Sequence, residues 1–154
     1  MCKFFTNSVD MKLLFLFIVA SLSFNQWQPD FETAKRVAKK EGKYILLNFS
    51  GSDWCAPCIR LKKEVFENQL FVAFADSSLV LVNADFPRSK KKQHSAEVQK
   101  HNEALAEQYN PLGKFPFTLL LTAEGKIIKS WEGYDNNSQQ FIDQLKSTCY
   151  DYTR

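Results

Sequence analysis

Apolar residues recur along the chain with two different periods, which predicts helices and strands in turn. From Phe31 to Lys40 the spacing is that of a helix with one buried face. Asp30 is placed to cap this helix and Gly42 to end it. Nearly continuous apolar runs at residues 44–49 and 79–84 are typical of strands buried on both sides.

The remaining elements follow from the same two periods. Helical spacing resumes from Cys58 and again over Glu97–Tyr109, and Ser138 is placed to cap a last helix. Residues 117–122 and 127–131 read as the two strands of a hairpin. The predicted order is α-β-α-β-α-β-β-α. It indicates an α/β fold with a mixed central sheet and helices on both faces.

Composition narrows the classes of protein to which the chain belongs. With 154 residues, 45% hydrophobic and 24% charged, it fits one globular domain. This excludes a disordered tail, a collagen-like fibre and a polytopic membrane protein. The net charge of +3 is too small to indicate a nucleic-acid partner.

A hydrophobic segment near the N-terminus predicts export. Lys12 precedes the apolar run Leu13–Ala20, and the small residues Ser21 and Ser23 follow it. The run is shorter than the roughly 20 residues needed to span a bilayer. A charged start, a short apolar centre and small residues after it are the pattern of a secretory signal peptide.

We therefore expect residues 1–23 to be a cleaved signal peptide and residues 24–154 to be the mature domain. The domain would then be periplasmic or secreted, with no stable membrane insertion after cleavage. An uncleaved anchor and a buried helix remain open as alternatives, as does a start at Met11.

The motif Trp54-Cys55-Ala56-Pro57-Cys58 lies where a predicted buried strand gives way to a helix. Cys55 is then at the helix N-terminus, where unpaired N–H groups and the helix dipole stabilise a thiolate nucleophile. Cys58 follows one turn later and is placed to resolve a mixed disulfide. Pro57 costs little within the first helical turn. A strand, a Cys-x-x-Cys and a helix in this order predict a redox-active pair.

Two other interpretations of the cysteine pair remain open. A zinc site would need two further ligands, and His94, His101 and Cys149 are available only at poor spacing. A permanently closed structural disulfide is the second. We expect neither a metal nor a cofactor.

The chain resembles the thioredoxin superfamily over roughly residues 28–148. The matching motifs are Gly-Ser-Asp-Trp-Cys-x-x-Cys at residues 51–58, Phe115-Pro116 before a strand, and the segment 131–134. The first motif is most similar to that of exported bacterial thioredoxin-like proteins. The resemblance implies a thioredoxin fold and thiol–disulfide oxidoreductase activity.

The resemblance also implies roles for residues outside the cysteine pair. Pro116 would be a cis-proline lying against the redox sulfurs. Trp54, Phe115, Gly133 and Tyr134 would border a groove that binds an extended substrate segment. Simple packing is the alternative for Phe115 and Tyr134.

Two departures from the thioredoxin pattern stand out. Thioredoxins carry a buried Asp on the strand before the motif, whereas this chain has Asn48 and Phe49 there. We expect Asp53, or water, to handle the proton of Cys58 instead. The second departure is a basic insert at residues 86–102. It is either a solvated loop or a docking patch for an acidic partner.

These observations favour an exported enzyme that reduces protein disulfides. Pro57, with no His between the cysteines, resembles the reducing branch of the family. Its partners would be disulfide-containing proteins and a membrane or soluble thiol donor. The alternative is a binding or chaperone-like module in which the pair is not catalytic. Cys149 remains after signal cleavage as an odd third cysteine, either an inert, partly buried thiol or a residue that pairs with another molecule.

Overall fold

A mixed four-stranded sheet forms the centre of the protein in a computed structural model, which describes residues 27–152. The strands are β1 (Tyr44–Ser50), β2 (Leu79–Asp85), β3 (Phe117–Leu121) and β4 (Ile127–Glu132). Their order across the sheet is β2-β1-β3-β4. β1 runs parallel to β2 and antiparallel to β3, which is antiparallel to β4. The predicted α/β fold with a mixed sheet is confirmed.

Helices cover both faces of this sheet. They are α1 (Phe31–Glu41), α2 (Ala56–Leu61), α3 (Gln69–Ser78), α4 (Ala96–Tyr109) and α5 (Ser138–Tyr152). Both predicted boundaries of α1 are confirmed: the Asp30 carboxylate accepts a hydrogen bond from the N–H of Thr33 (2.6 Å). Gly42 ends the helix at φ 65°, a left-handed conformation that favours glycine.

Helix α3 has no counterpart among the predicted elements. A π-helical turn at Lys62–Phe66 extends α2, and the chain then breaks at Glu67 and Asn68. The Asn68 side chain accepts a hydrogen bond from the N–H of Leu70 (2.8 Å) and so caps a new helix. Apolar residues continue at helical spacing through this region. The spacing therefore gives no sign of the break, which depends on the single capping residue Asn68.

The two faces of the sheet bury separate apolar clusters. Odd-numbered positions of β1, ending in Phe49, pack with α1 and α4. Even-numbered positions are apolar only as far as Leu46, which packs with α2, α3 and α5. Further along this second face the side chains are Asn48 and Ser50, both buried. The sheet therefore presents one polar corner under the start of α2.

None of the helices within residues 27–152 is long and apolar enough to cross a membrane. The predicted signal peptide at residues 1–23 lies outside the described residues. Across that same described part, no group of three or more His, Cys, Asp or Glu side chains is arranged to hold a metal ion.

Candidate redox site

A disulfide joins Cys55 and Cys58 at the start of α2. Their Cα atoms are 5.2 Å apart, and the two residues are only 4% and 5% exposed. Cys55 is the N-cap of α2, and its Sγ accepts a hydrogen bond from the N–H of Cys58 (3.3 Å). Pro57 lies within the first turn, as predicted. Once the bond is reduced, this N–H and the helix dipole favour a negative charge on the Cys55 sulfur.

Aromatic rings pack together at Trp54, the residue before Cys55, and form an aromatic wall of the redox motif. Trp54 packs edge-on against Phe115 with centroids 5.4 Å apart, and Phe86 also packs edge-on against Phe115 at 5.6 Å. The Phe115–Pro116 peptide bond is cis. The Pro116 carbonyl accepts a hydrogen bond from the N–H of Gly133 (2.9 Å). The structure thus brings together four of the residues that the resemblance singled out.

Tyr134 has a different setting from its neighbour Gly133. It packs against the cluster beneath α2 and α5, and its hydroxyl donates to the carboxylate of Glu64 (2.7 Å). Burial, followed by this hydrogen bond, raises the pKa of Tyr134 to about 12. Tyr134 therefore supports the segment that carries Gly133, and its role in substrate binding stays a prediction.

The indole of Trp54 is fixed from three directions. Its Nε1 donates to the carbonyl of Phe86 (2.7 Å). The Arg88 guanidinium lies over the ring, 4.0 Å from its centroid. A Cβ at Gly51 would come within 2.3 Å of the ring, so the turn after β1 needs glycine for this close approach.

Asp53 holds a neighbouring loop instead of facing the cysteines. Its two carboxylate oxygens accept hydrogen bonds from the N–H groups of Arg88 (2.9 Å) and Ser89 (2.7 Å). The hydrogen bond from Arg88, then that from Ser89, lowers the pKa of Asp53. Its role as a proton relay stays a prediction, and this geometry disfavours it.

A cavity of about 680 Å³ borders Cys58 on the side of the polar corner. Asp85, at the end of β2, is the carboxylate in its lining. It accepts hydrogen bonds from the Ser50 hydroxyl (3.0 Å) and from the N–H (2.8 Å) and hydroxyl (2.6 Å) of Ser52. His94 Nε2 lies 3.3 Å from its second oxygen.

Sequence reasoning missed Asp85 and His94 as members of the site. The sequence did contain a sign of the position of Asp85: both predicted buried strands end in polar residues, and the carboxyl ends of parallel neighbours lie at the same edge of a sheet. His101 accepts a hydrogen bond from the N–H of Phe31 (3.3 Å), so it belongs to the α1 region instead.

Cys149 lies away from the pair, in the apolar cluster formed by α2, α3 and α5. Burial raises the pKa of the Cys149 thiol to about 11. A thiol with so raised a pKa carries little thiolate at neutral pH and is a poor nucleophile. This supports the interpretation of Cys149 as an inert thiol.

The amino-acid sequence is similar to those of known proteins. Residues 26–123 match the family described as thioredoxin-like. The chain is 32% identical over 123 residues to the disulfide bond reductase DsbH of Chlamydia pneumoniae, covering 79% of this chain and 71% of that protein. It is 27% identical over 112 residues to the thioredoxin-related protein DsbJ of the same organism, but this match spans only 31% of DsbJ.

The resemblance extends to a solved structure over most of the length of the protein. A structure described as DsbH oxidoreductase superposes with a TM-score of 0.73 at 29% identity, covering 81% of this chain and 84% of the other.

Proposed function

The chain belongs to the thioredoxin-like family, and from this premise we propose that it reduces protein disulfides outside the cytoplasm. The chain is a thiol–disulfide oxidoreductase; the direction of the reaction and the compartment are the proposal. The observation that carries it is the Cys55–Cys58 pair at the N-terminus of α2, with the N–H of Cys58 directed at the Cys55 sulfur. The direction is supported by similarity to a protein named as a disulfide bond reductase.

The reduced pair would transfer two electrons in two exchange steps. The Cys55 thiolate attacks one sulfur of a substrate disulfide, which forms a mixed disulfide and releases a substrate thiolate. Cys58 then loses its proton and attacks the Cys55 sulfur. The second substrate thiolate leaves and takes up a proton, the substrate is fully reduced, and the Cys55–Cys58 disulfide has formed. A membrane or soluble thiol donor outside the cytoplasm would return the pair to its reduced form.

The aromatic wall of the redox motif would hold the substrate. Trp54, which precedes Cys55, and Phe115 are both half-buried, so the two rings offer aromatic surface beside the redox motif. The resemblance to thioredoxins implies that an extended substrate segment would pair as an added strand with backbone beside Pro116. Because the two rings are already held in place, little side-chain entropy is lost when a substrate segment binds to them.

We propose that the proton of Cys58 is transferred to groups that line the cavity and not to Asp53, which is not among the lining residues. Asp85 and His94 line the cavity that Cys58 borders, and Lys62 is the other charged residue in its wall. Asp85→Asn is expected to change the pH profile of turnover, while Asp53→Asn leaves it unchanged. If Asp53→Asn changes the pH profile and Asp85→Asn does not, Asp53 would be the proton acceptor instead.

The reductase assignment is tested first by the reduction potential of the pair. A value near the thioredoxin reference of about −270 mV supports a reductase, and one near about −120 mV indicates an oxidant. Insulin reduction should stop in Cys55→Ser, whereas Cys58→Ser should accumulate the mixed disulfide. Cys149→Ser is the matched control and should keep the wild-type rate. Undiminished turnover in Cys55→Ser would contradict the mechanism and leave the binding module as the alternative.

The compartment rests on the N-terminal pattern of Lys12 followed by Leu13–Ala20. Fusion of residues 1–23 to a reporter enzyme that is active only after export should give an active fusion. The mass of the exported protein should correspond to cleavage near Ser23. A reporter that remains inactive would contradict the signal peptide.

A further inference from the structure

We propose that residues 86–92, here called the basic loop, form a docking surface for acidic substrate segments that flank the disulfide to be reduced. This rests on the proposed function, since it concerns which disulfides the pair at Cys55 and Cys58 reaches. The loop connects β2 to the segment before α4, and its cations are Arg88, Lys90, Lys91 and Lys92.

The basic loop is attached directly to the redox motif. The Phe86 carbonyl accepts the indole hydrogen bond of Trp54 (2.7 Å), and the N–H of Phe86 donates to the Ser50 carbonyl (2.8 Å). Asp53 holds the backbone of Arg88 and Ser89 through both carboxylate oxygens. The residues two and one before Cys55 thus fix the loop in place. A surface loop without such a link would carry its charges independently of the site.

Arg88 places one of these positive charges at Trp54, in the aromatic wall that would hold the substrate. Its guanidinium lies 4.0 Å from the centroid of Trp54, the ring next to Cys55, and Arg88 is exposed. A guanidinium held over an aromatic face keeps its donors free for carboxylates. A substrate segment that packs on Trp54 therefore meets a fixed positive charge.

The three lysines of the basic loop add to this charge. Lys90–Lys92 form one turn of 3-10 helix, and all are exposed. Some lysines outside the loop are neutralised by ion pairs, such as Lys35 with Glu32 and Lys43 with Glu41. Among the described residues none of the loop's cations has an ion-pair partner.

Two acids, one bonded to the loop and one directly before it in sequence, have other partners. Asp53 is occupied by backbone N–H groups, and Asp85 by Ser50, Ser52 and His94. The charge of Lys92 contributes to the lowered pKa of Asp53, which places this lysine's field at the redox motif. Four cations face solvent on a protein whose whole net charge is only +3. Such a concentration attracts acidic segments and repels basic ones.

The test compares three disulfide peptides that differ only in the residues flanking the cystine, which are Glu, Gln or Lys. At low salt the wild-type protein is expected to reduce the Glu peptide with a kcat/KM at least about tenfold above that of the Lys peptide. The ratio should approach one in about 1 M salt, where charges are screened beyond about 3 Å.

Two triple variants with equal net charge locate the effect. Lys90→Glu, Lys91→Glu and Lys92→Glu together should remove or invert the preference for the Glu peptide. The control carries Lys39→Glu, Lys40→Glu and Lys126→Glu, three exposed lysines outside the basic loop, and should keep the wild-type ratio. Loss of preference in both variants alike would overturn the docking surface in favour of net charge.

The Gln peptide separates this proposal from the function on which it rests. If the wild-type protein fails to reduce it, the proposed function is overturned, and the docking surface with it. If the Gln peptide is reduced but the Glu and Lys peptides react at equal rates, the docking surface alone is overturned.

Discussion

The two faces of β1 differ in how far their apolar character extends. On the face covered by α1 and α4, the side chains stay apolar to Phe49, at the carboxyl end of the strand. On the face covered by α2, the last apolar side chain is Leu46, and buried Asn48 and Ser50 follow. Cys58 borders the cavity on this second face.

This difference shows how one strand serves both stability and chemistry. Because alternate side chains point to opposite faces, the sequence of β1 can keep a continuous core on one side and a polar corner on the other. Substitutions at adjacent positions should therefore separate the two roles.

The largest effect is expected from Phe49→Ala on the apolar face. Phe49 is fully buried and stacks on Phe117, and removal of a buried Phe side chain costs about 3–5 kcal/mol of unfolding free energy. Urea denaturation measures the loss. The reduction potential of the remaining folded protein should stay unchanged. A shift in potential would contradict the separation of roles.

Asn48→Leu tests the adjacent position on the polar face. Thr118 is 1% exposed and its hydroxyl donates to the Asn48 side chain (3.0 Å). The variant leaves this hydroxyl without its acceptor, which costs about 1–3 kcal/mol of unfolding free energy. Adding Thr118→Val should recover part of that loss because both polar groups are then removed. A double variant no more stable than Asn48→Leu would contradict this account.

A smaller effect is expected where the chain leaves β1, at Asp53. Its folded pKa lies below the ordinary value of 3.8, so its attachment of the basic loop is fully present above that pH. The attachment is lost as the pH falls through the lowered folded pKa, because a protonated carboxyl accepts the N–H bonds poorly. Relative to the intrinsic exchange rate at the same pH, amide exchange of Arg88 and Ser89 should accelerate there in wild type. Asp53→Asn should show the faster exchange already at neutral pH.

The smallest effect is expected at Cys149, which lies in the apolar part of the face that also carries Cys58. Burial raises its pKa to about 11, so iodoacetamide should leave it unmodified at neutral pH while it labels reduced Cys55. Labelling after addition of denaturant is the control. Rapid labelling of Cys149 in the folded protein would show that this part of the face opens readily.

Local patterns were sufficient to predict most of the fold and the redox pair. The buried runs of β1 and β2 and the position of Cys55 at a strand–helix junction depend on residues close together in sequence. The family resemblance added Pro116 and Gly133, which the structure joins through a backbone hydrogen bond.

The missed features depend on single side chains or on distant partners. The break before α3 depends on the capping side chain of Asn68. Asp85 meets Ser50 across 35 residues of sequence, and Asp53 meets Arg88 across the same separation. Periodicity contains no information on such pairs, since they form only when the parallel strands align.

The polar corner also has a consequence for assembly of the sheet. Asn83, Asn48 and Thr118 are directly opposite one another on β2, β1 and β3, and the Asn48 side chain joins its two neighbours by hydrogen bonds. Most other residues of these three strands are isoleucine, leucine, valine or phenylalanine, so sliding by two residues would keep apolar side chains opposite one another on the same face. Such a slip would set an amide or a hydroxyl against a leucine in the buried interior, with the cost of unpaired polar groups. This row of three side chains thus discriminates against misaligned pairings between strands whose apolar residues alone scarcely distinguish one alignment from another.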